Sequence, residues 1–177
     1  MNDPEPATRH LVLVGLMGSG KTTVGKRCAE KLDRAFVDLD DRIMTHAAMS
    51  IEEIWRDRGE DRFRELEREV VVDVCASPVP LVIACGGGTV VDGESRRRLR
   101  DVGTVVWLRA PTAVLAARVG NDARRPLLAG DPAGALARLA EVRADAYAQA
   151  ADAVVDTGDR DVNEVAAAVL EAFAETS

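Results

Sequence analysis

In the stretch GLMGSGKTTVG, Gly15 to Gly25, the pattern G-x-x-x-x-G-K-[S/T] is met by Gly15, Gly20, Lys21 and Thr22. Phosphate chemistry needs this combination. Glycines let the backbone curl until successive N–H groups converge on an anion, and a helix that starts at the last of them adds its positive end. Lys21 is then placed to reach the β- and γ-phosphates and Thr22 to offer its hydroxyl to Mg²⁺, with Gly18, Ser19 and Thr23 as further contacts of the nucleotide. A second constellation follows in AFVDLD, where Asp38 and Asp40 stand two apart at the carboxyl end of an apolar run. On a strand they project from one face. Two carboxylates beside a phosphate suit ligation of Mg²⁺ through water and orientation of an attacking hydroxyl.

Arginines and glycines make up the third set. In SIEEIWRDRGEDRFRELEREVV, Phe63, Leu66, Val70 and Val74 fall on one helical stripe that leaves Arg64 off the core face. Taken alone, Arg64 is a solvated side chain. Arg143 differs: Leu136, Leu139, Ala140, Ala146 and Tyr147 define the inward stripe of a helix from Ala133 to Ala150, and Arg143, seven residues after Leu136, lies on it. An inward guanidinium needs an anion, supplied either by a structural carboxylate or by a ligand. Gly86, Gly87 and Gly88 close a buried apolar run, where they admit a ligand close to the backbone and offer N–H donors. Arg124 and Arg125, in ARRPLL, are candidates to close over a transferring phosphoryl group.

Five apolar runs position these residues: HLVLVG, AFVDLD, LVIACGGG, TVVWLRA and AVVDTG read as strands, each followed by turn chemistry and a helix. Runs apolar at every position, such as Leu81 to Cys85, fit strands covered on both faces, so the expectation is a three-layer α/β/α domain with a five-stranded parallel sheet. Ligands gather at the carboxyl ends of such strands. Ser50 with Glu53, and Asp161 with Glu164, make capping boxes; after the second, Val162, Val165, Val169, Leu170 and Phe173 form a core stripe. The turn-rich stretch from Gly120 to Ala133 reads as a mobile lid.

The 177 residues are 47% hydrophobic, enough for one domain spanning 1–177. Twenty-three basic against 30 acidic residues give a net charge of −7, which argues against nucleic acid or an anionic membrane as partner. Nothing resembles a signal or a span, so a cytoplasmic location is expected. Cys28, Cys75 and Cys85 show no metal or disulfide spacing and read as buried small hydrophobes; His10 and His46 receive no role. An N-K-x-D motif is missing where a GTPase needs it, the last strand ending in DTGD, and an ABC-type signature is missing too.

Taken in order, GLMGSGKTTVG, FVDLDD, SIEEIW, GEDRFRELE, GGGTV, RRPLL and RADAY resemble the shikimate kinase family from about Leu11 to Asp161. The resemblance implies a nucleoside-monophosphate-kinase-like fold and transfer of the γ-phosphate of ATP, with Mg²⁺, to the 3-hydroxyl of shikimate. It also implies roles. Asp38 serves Mg²⁺ through water, while Asp40 orients the substrate hydroxyl, with or without taking its proton. Arg64 and Arg143 hold the shikimate carboxylate, and Gly86 to Gly88 complete that pocket on a substrate segment of about 41–76. Arg125 comes from the lid, about 120–133, onto the phosphates; Arg118 lies against the adenine, with Arg160 as a further contact. Lys21, Asp40 and Arg125 form the catalytic set. ATP and shikimate are the expected partners of a monomer. Two departures stand out: Ala48 replaces a usual glycine, and Trp55 a common phenylalanine. The rivals are a kinase for another hydroxy acid such as gluconate, and a non-catalytic ATP-binding module on the same fold.

Overall fold

A computed structural model describes residues 8–120, 126–128 and 130–176. The five apolar runs are strands: β1 (His10–Val14), β2 (Ala35–Asp38), β3 (Leu81–Ala84), β4 (Gly103–Arg109) and β5 (Ala153–Asp156). All pair in parallel, in the order β2-β3-β1-β4-β5. Alternation along the central strand divides the core between the two faces of the sheet. Leu11 and Leu13 pack with Val24 and Cys28 of α1 (Lys21–Leu32) and with Val165, Val169 and Phe173 of α7 (Val162–Glu175). Val12 and Val14 face the opposite layer, built from α2 (Leu39–Ala47), α3 (Ile51–Cys75), α4 (Gly93–Val102), α5 (Thr112–Val119) and α6 (Pro132–Ala150). The three-layer arrangement follows from strands that are apolar on both sides.

Several local expectations change. Both capping boxes form, but Val162 is exposed and Ala166 takes its place on the buried stripe of α7. A position in the first turn after the cap still points past the sheet edge, which periodicity alone does not register. Helix α6 begins at Pro132, capped by the Asp131 carboxylate on the Gly134 N–H, so residues 132 and 133 belong to it and not to a lid. Leu128, inside the stretch read as a lid, is buried in the core. Cys28 and Cys85 are buried as expected, whereas Cys75 is half-buried.

Helix α3 is broken at Gly59, whose φ of 81° and ψ of 170° suit glycine almost alone. The break sets Trp55 against Phe63, ring centroids 5.5 Å apart, at the edge of the cleft described below. At the end of α2 the chain turns through Ala48 with φ 52° and ψ 34°, the left-handed conformation that a glycine would take without strain. His10, unassigned from sequence, is a structural fastener: it is buried at the start of β1, and its Nδ1 accepts the Leu81 N–H at 2.9 Å, tying β3 to the central strand.

Two stability effects follow. Ala48→Gly is expected to raise the urea midpoint, a gain in stability of about 0.5–1 kcal/mol once relief of left-handed strain is offset by glycine's greater unfolded freedom; a lowered midpoint would show that Ala48 carries no strain. Burial, and then the Arg34 cation, hold the His10 pKa below the usual 6.5. The unfolded chain therefore binds the extra proton first, and the His10 contribution is full above pH 6.5 and lost as pH falls through the folded-state pKa. Urea midpoints taken at pH 7.5 and 5.5 should fall less for His10→Asn, which keeps an acceptor but does not titrate there, than for the parent chain.

Candidate active site

The loop between β1 and α1 passes through left-handed Gly20, which has φ 92° and serves as the N-cap of α1. No side chain caps that end, so its N–H groups stay available to an anion. Gly18, Gly20, Thr22 and Thr23 line a cleft of about 680 Å³ at the carboxyl ends of the strands. Gly15 lies behind the loop, and Ser19 is buried, 3.5 Å from Lys21 Nζ. Lys21 also lines the cleft, its ammonium donating to the carbonyls of Gly15 at 2.8 Å and Leu16 at 3.0 Å.

Asp38 and Asp40 both reach the cleft, by a different route from the one expected. Strand β2 stops at Asp38, which caps α2 by accepting the Asp40 N–H at 3.0 Å; Asp40 is in the first helical turn. The two carboxylates are brought together by a strand-to-helix transition, and the same-face argument for a strand does not apply. Thr22 Oγ1 donates to Asp38 Oδ2 at 2.7 Å. These are hard oxygen donors of the type Mg²⁺ takes when phosphates supply its other ligands, and among the described residues no cluster of three or more His, Cys, Asp or Glu side chains competes as a metal site.

At the other end of the cleft stands a charge network that sequence reasoning only half found. Arg64 is not solvated: its side chain is 24% exposed, and it bonds Glu67 at 2.8 Å and Glu60 at 3.4 Å. It also lies 5.1 Å from the Phe63 ring centroid and 6.0 Å from that of Trp55. Glu67, to which no role was given, is 3% exposed and accepts a second bond, from Thr89 Oγ1 at 2.7 Å. A glutamate one turn after Arg64, on the stripe side of the helix, was the available signal. Arg143 is 6% exposed, and its Nη1 is buried without a hydrogen-bond partner among the described residues. The inward cation predicted from periodicity is there, and among the described residues no carboxylate forms an ion pair with it.

The triple glycine fits into this network by its lack of side chains. A Cβ at Gly88 would stand 2.8 Å from Arg64 Nη1, at Gly87 3.1 Å from Arg143 Nη1, and at Gly86 3.0 Å from Glu67 Oε1 and 3.1 Å from Asp40 Oδ1. None of the three has a positive φ, so a side chain here would be felt through the charged groups it displaced and not through the backbone.

Arg118 reaches from α5 to the loop carbonyl of Gly18 at 3.3 Å and to the turn after β5, donating to the carbonyls of Thr157 at 2.6 Å and Gly158 at 3.2 Å. Arg160 is exposed and forms no part of the cleft wall. Arg124 and Arg125 lie outside the described residues, whereas Leu127, just after them, lines the cleft.

The chain matches the family model described as shikimate kinase over residues 17–174. It belongs to the shikimate kinase family. A shikimate kinase of Symbiobacterium thermophilum is 44% identical over 94% of this chain and 97% of its own. The shikimate kinase of Acinetobacter baumannii, solved in complex with shikimate, superposes with a TM-score of 0.92 at 32% identity, covering 97% of this chain and 96% of that one. A gluconokinase of Sinorhizobium meliloti is similar at a TM-score of 0.57 and 17% identity over 96% and 93% of the two chains, which is a likeness of fold alone. The rival acceptor suggested by the phosphate loop is therefore not favoured, and the chain is an ATP-dependent kinase by family.

The two shikimate-kinase arginines should respond in opposite ways when altered in the ligand-free protein. Arg64→Ala leaves the buried Glu67 short of its cation and should cost roughly 2–4 kcal/mol, less than a fully dry pair because Arg64 is partly exposed. Arg143→Met removes an uncompensated buried charge and should raise stability by about 1–3 kcal/mol. Thermal melts of both variants without ligand check this; a large loss at Arg143 would mean that the cation is neutralised in the free protein.

Proposed function

We propose that this chain carries out the family's reaction, transfer of the γ-phosphate of ATP to the 3-hydroxyl of shikimate, with ATP over the β1–α1 loop and shikimate between α3, α6 and the triple glycine. The observation that carries the reading is Arg143: a buried guanidinium with an unpartnered Nη1 calls for an anion, and a substrate carboxylate brings one. Arg64 joins it from α3 while keeping its bond to Glu67. Asp40, beside Gly86, orients the acceptor hydroxyl, and the Met44, Ile51 and Trp55 side chains give the ring an apolar wall.

In-line phosphoryl transfer asks for positioning and charge neutralisation more than for covalent help. Lys21, now spent on the loop's own carbonyls, exchanges these for β- and γ-phosphate oxygens as the nucleotide arrives. Thr22, with Asp38 acting through water, would hold Mg²⁺, which when bound neutralises charge on the β- and γ-phosphates. Asp40 fixes the 3-hydroxyl in line, and a loose transition state lets the proton leave late. Arg125 is assigned to the phosphoryl group from the segment at about 120–133, and Arg118 to the adenine, with Arg160 beyond it. We further take residues 1–177 to act as one cytoplasmic domain and as a monomer; no described helix is long and apolar enough to cross a membrane.

The test is ADP release from Mg·ATP with shikimate, gluconate or a nucleoside monophosphate as acceptor. Release with shikimate alone is expected. Release with another acid and not with shikimate would leave the phosphate site standing and overturn the reading of the arginine pocket.

A further inference from the structure

Tyr147 follows Arg143 by one helical turn on the buried face of α6, and in the sequence it stands only as part of the core stripe and as the last residue of the motif RADAY. The structure gives it a polar task. It is 1% exposed, its ring packs against Trp107 at 5.4 Å between centroids, and its hydroxyl donates to the Gly87 carbonyl at 2.5 Å. Burial raises its pKa to about 12 against the opposing pull of the Arg143 cation, which also hydrogen-bonds it, so it is a phenol and a donor at neutral pH.

The Gly87 carbonyl sits where it matters. Arg143 Nη1 lies 3.1 Å from the position of a Gly87 Cβ and has no hydrogen-bond partner among the described residues. With Arg143 this near the Gly87 backbone, an unsatisfied Gly87 carbonyl oxygen would have two bad options: to accept from Arg143 and consume the free donor, or to face the cleft and repel an arriving carboxylate. The Tyr147 hydroxyl removes both by donating to the oxygen itself, which satisfies it and holds it on Tyr147. Because the peptide is planar and trans, its carbonyl and the next N–H point in opposite directions, so a fixed Gly87 oxygen also fixes the Gly88 N–H away from Tyr147. Gly88 lines the cleft, and its N–H makes no hydrogen bond to any described residue.

We infer that Tyr147 is a positioning residue for the acceptor: its bond to Gly87 sets the Gly87–Gly88 peptide so that the Gly88 N–H and Arg143 Nη1 are both reserved for the substrate carboxylate. The inference rests on the reading of the pocket given above and adds a specific atom-level demand, that a hydroxyl on a different helix turn from Arg143 controls carboxylate affinity without touching substrate.

Tyr147→Phe keeps the ring against Trp107 and removes only the hydroxyl. Its KM and Kd for shikimate should rise about tenfold, the scale of one buried hydrogen bond, while KM for ATP stays at the parent value and kcat changes much less. The neutral carboxamide of shikimate, used as a competing ligand, should bind the parent and Tyr147→Phe alike. Arg143→Met is run in parallel. Loss of shikimate affinity in Arg143→Met with full affinity in Tyr147→Phe would keep the pocket reading and overturn the role of Tyr147. Full affinity in both would overturn the two together. Equal loss of ATP and shikimate in Tyr147→Phe, or equal loss of shikimate and its carboxamide, would mark a structural role and overturn the inference.

Discussion

A guanidinium enclosed by protein, with part of its hydrogen-bonding capacity unmet, is the constraint around which the acceptor end of this molecule is arranged. Burying such a charge costs several kcal/mol after relaxation, and the fold accepts that cost at one position only within the described cleft. Arg64 shows the alternative. Its charge is shared with Glu67, and Glu67 in turn is held by Thr89 from the turn that follows the triple glycine. One arginine is thus built into the scaffold and the other is held in reserve, and the glycines between them are the room that both need.

The nucleotide end solves the opposite problem. It must attract four negative charges in a protein whose net charge is −7, and does so with backbone dipoles more than with side chains: an uncapped helix end and a left-handed glycine. Lys21 is held by the loop's own carbonyls and Thr22 by Asp38, so the groups proposed to meet the triphosphate and its Mg²⁺ already have partners of their own.

Much of this could be read from the chain. The five strands follow from apolar runs bounded by turn residues, and β1 is apolar on both faces because both are covered. Arg143 was legible because a cation on a helical stripe is a violation of pattern. Asp40 was found for the wrong reason: the aspartate that ends β2 also caps α2, and periodicity cannot say at which residue a strand yields to a helix. Glu67 and Tyr147 were passed over because their functions depend on atoms 22 and 60 residues away, Thr89 and Gly87, which spacing along one helix does not reveal. Ala48 is the converse case: the departure was visible in the sequence, and only its left-handed backbone explains why it matters.

The strand order has a consequence for how the molecule comes to exist. No two neighbouring strands are joined by a hairpin; the contact of Leu81 with His10 spans a sequence separation of 71, and that of Tyr147 with Gly87 one of 60. Loop closure of that span has to be met before the contacts repay it, which slows folding relative to proteins built from local pairs. The cleft draws on the β1–α1 loop, the β2–β3 crossover, the turn after β3 and the β4–β5 crossover, so its wall is complete only when all five strands are in place. Nucleotide and acceptor can be captured only by molecules that have completed the sheet, and either ligand then selects the finished fold from the ensemble by mass action.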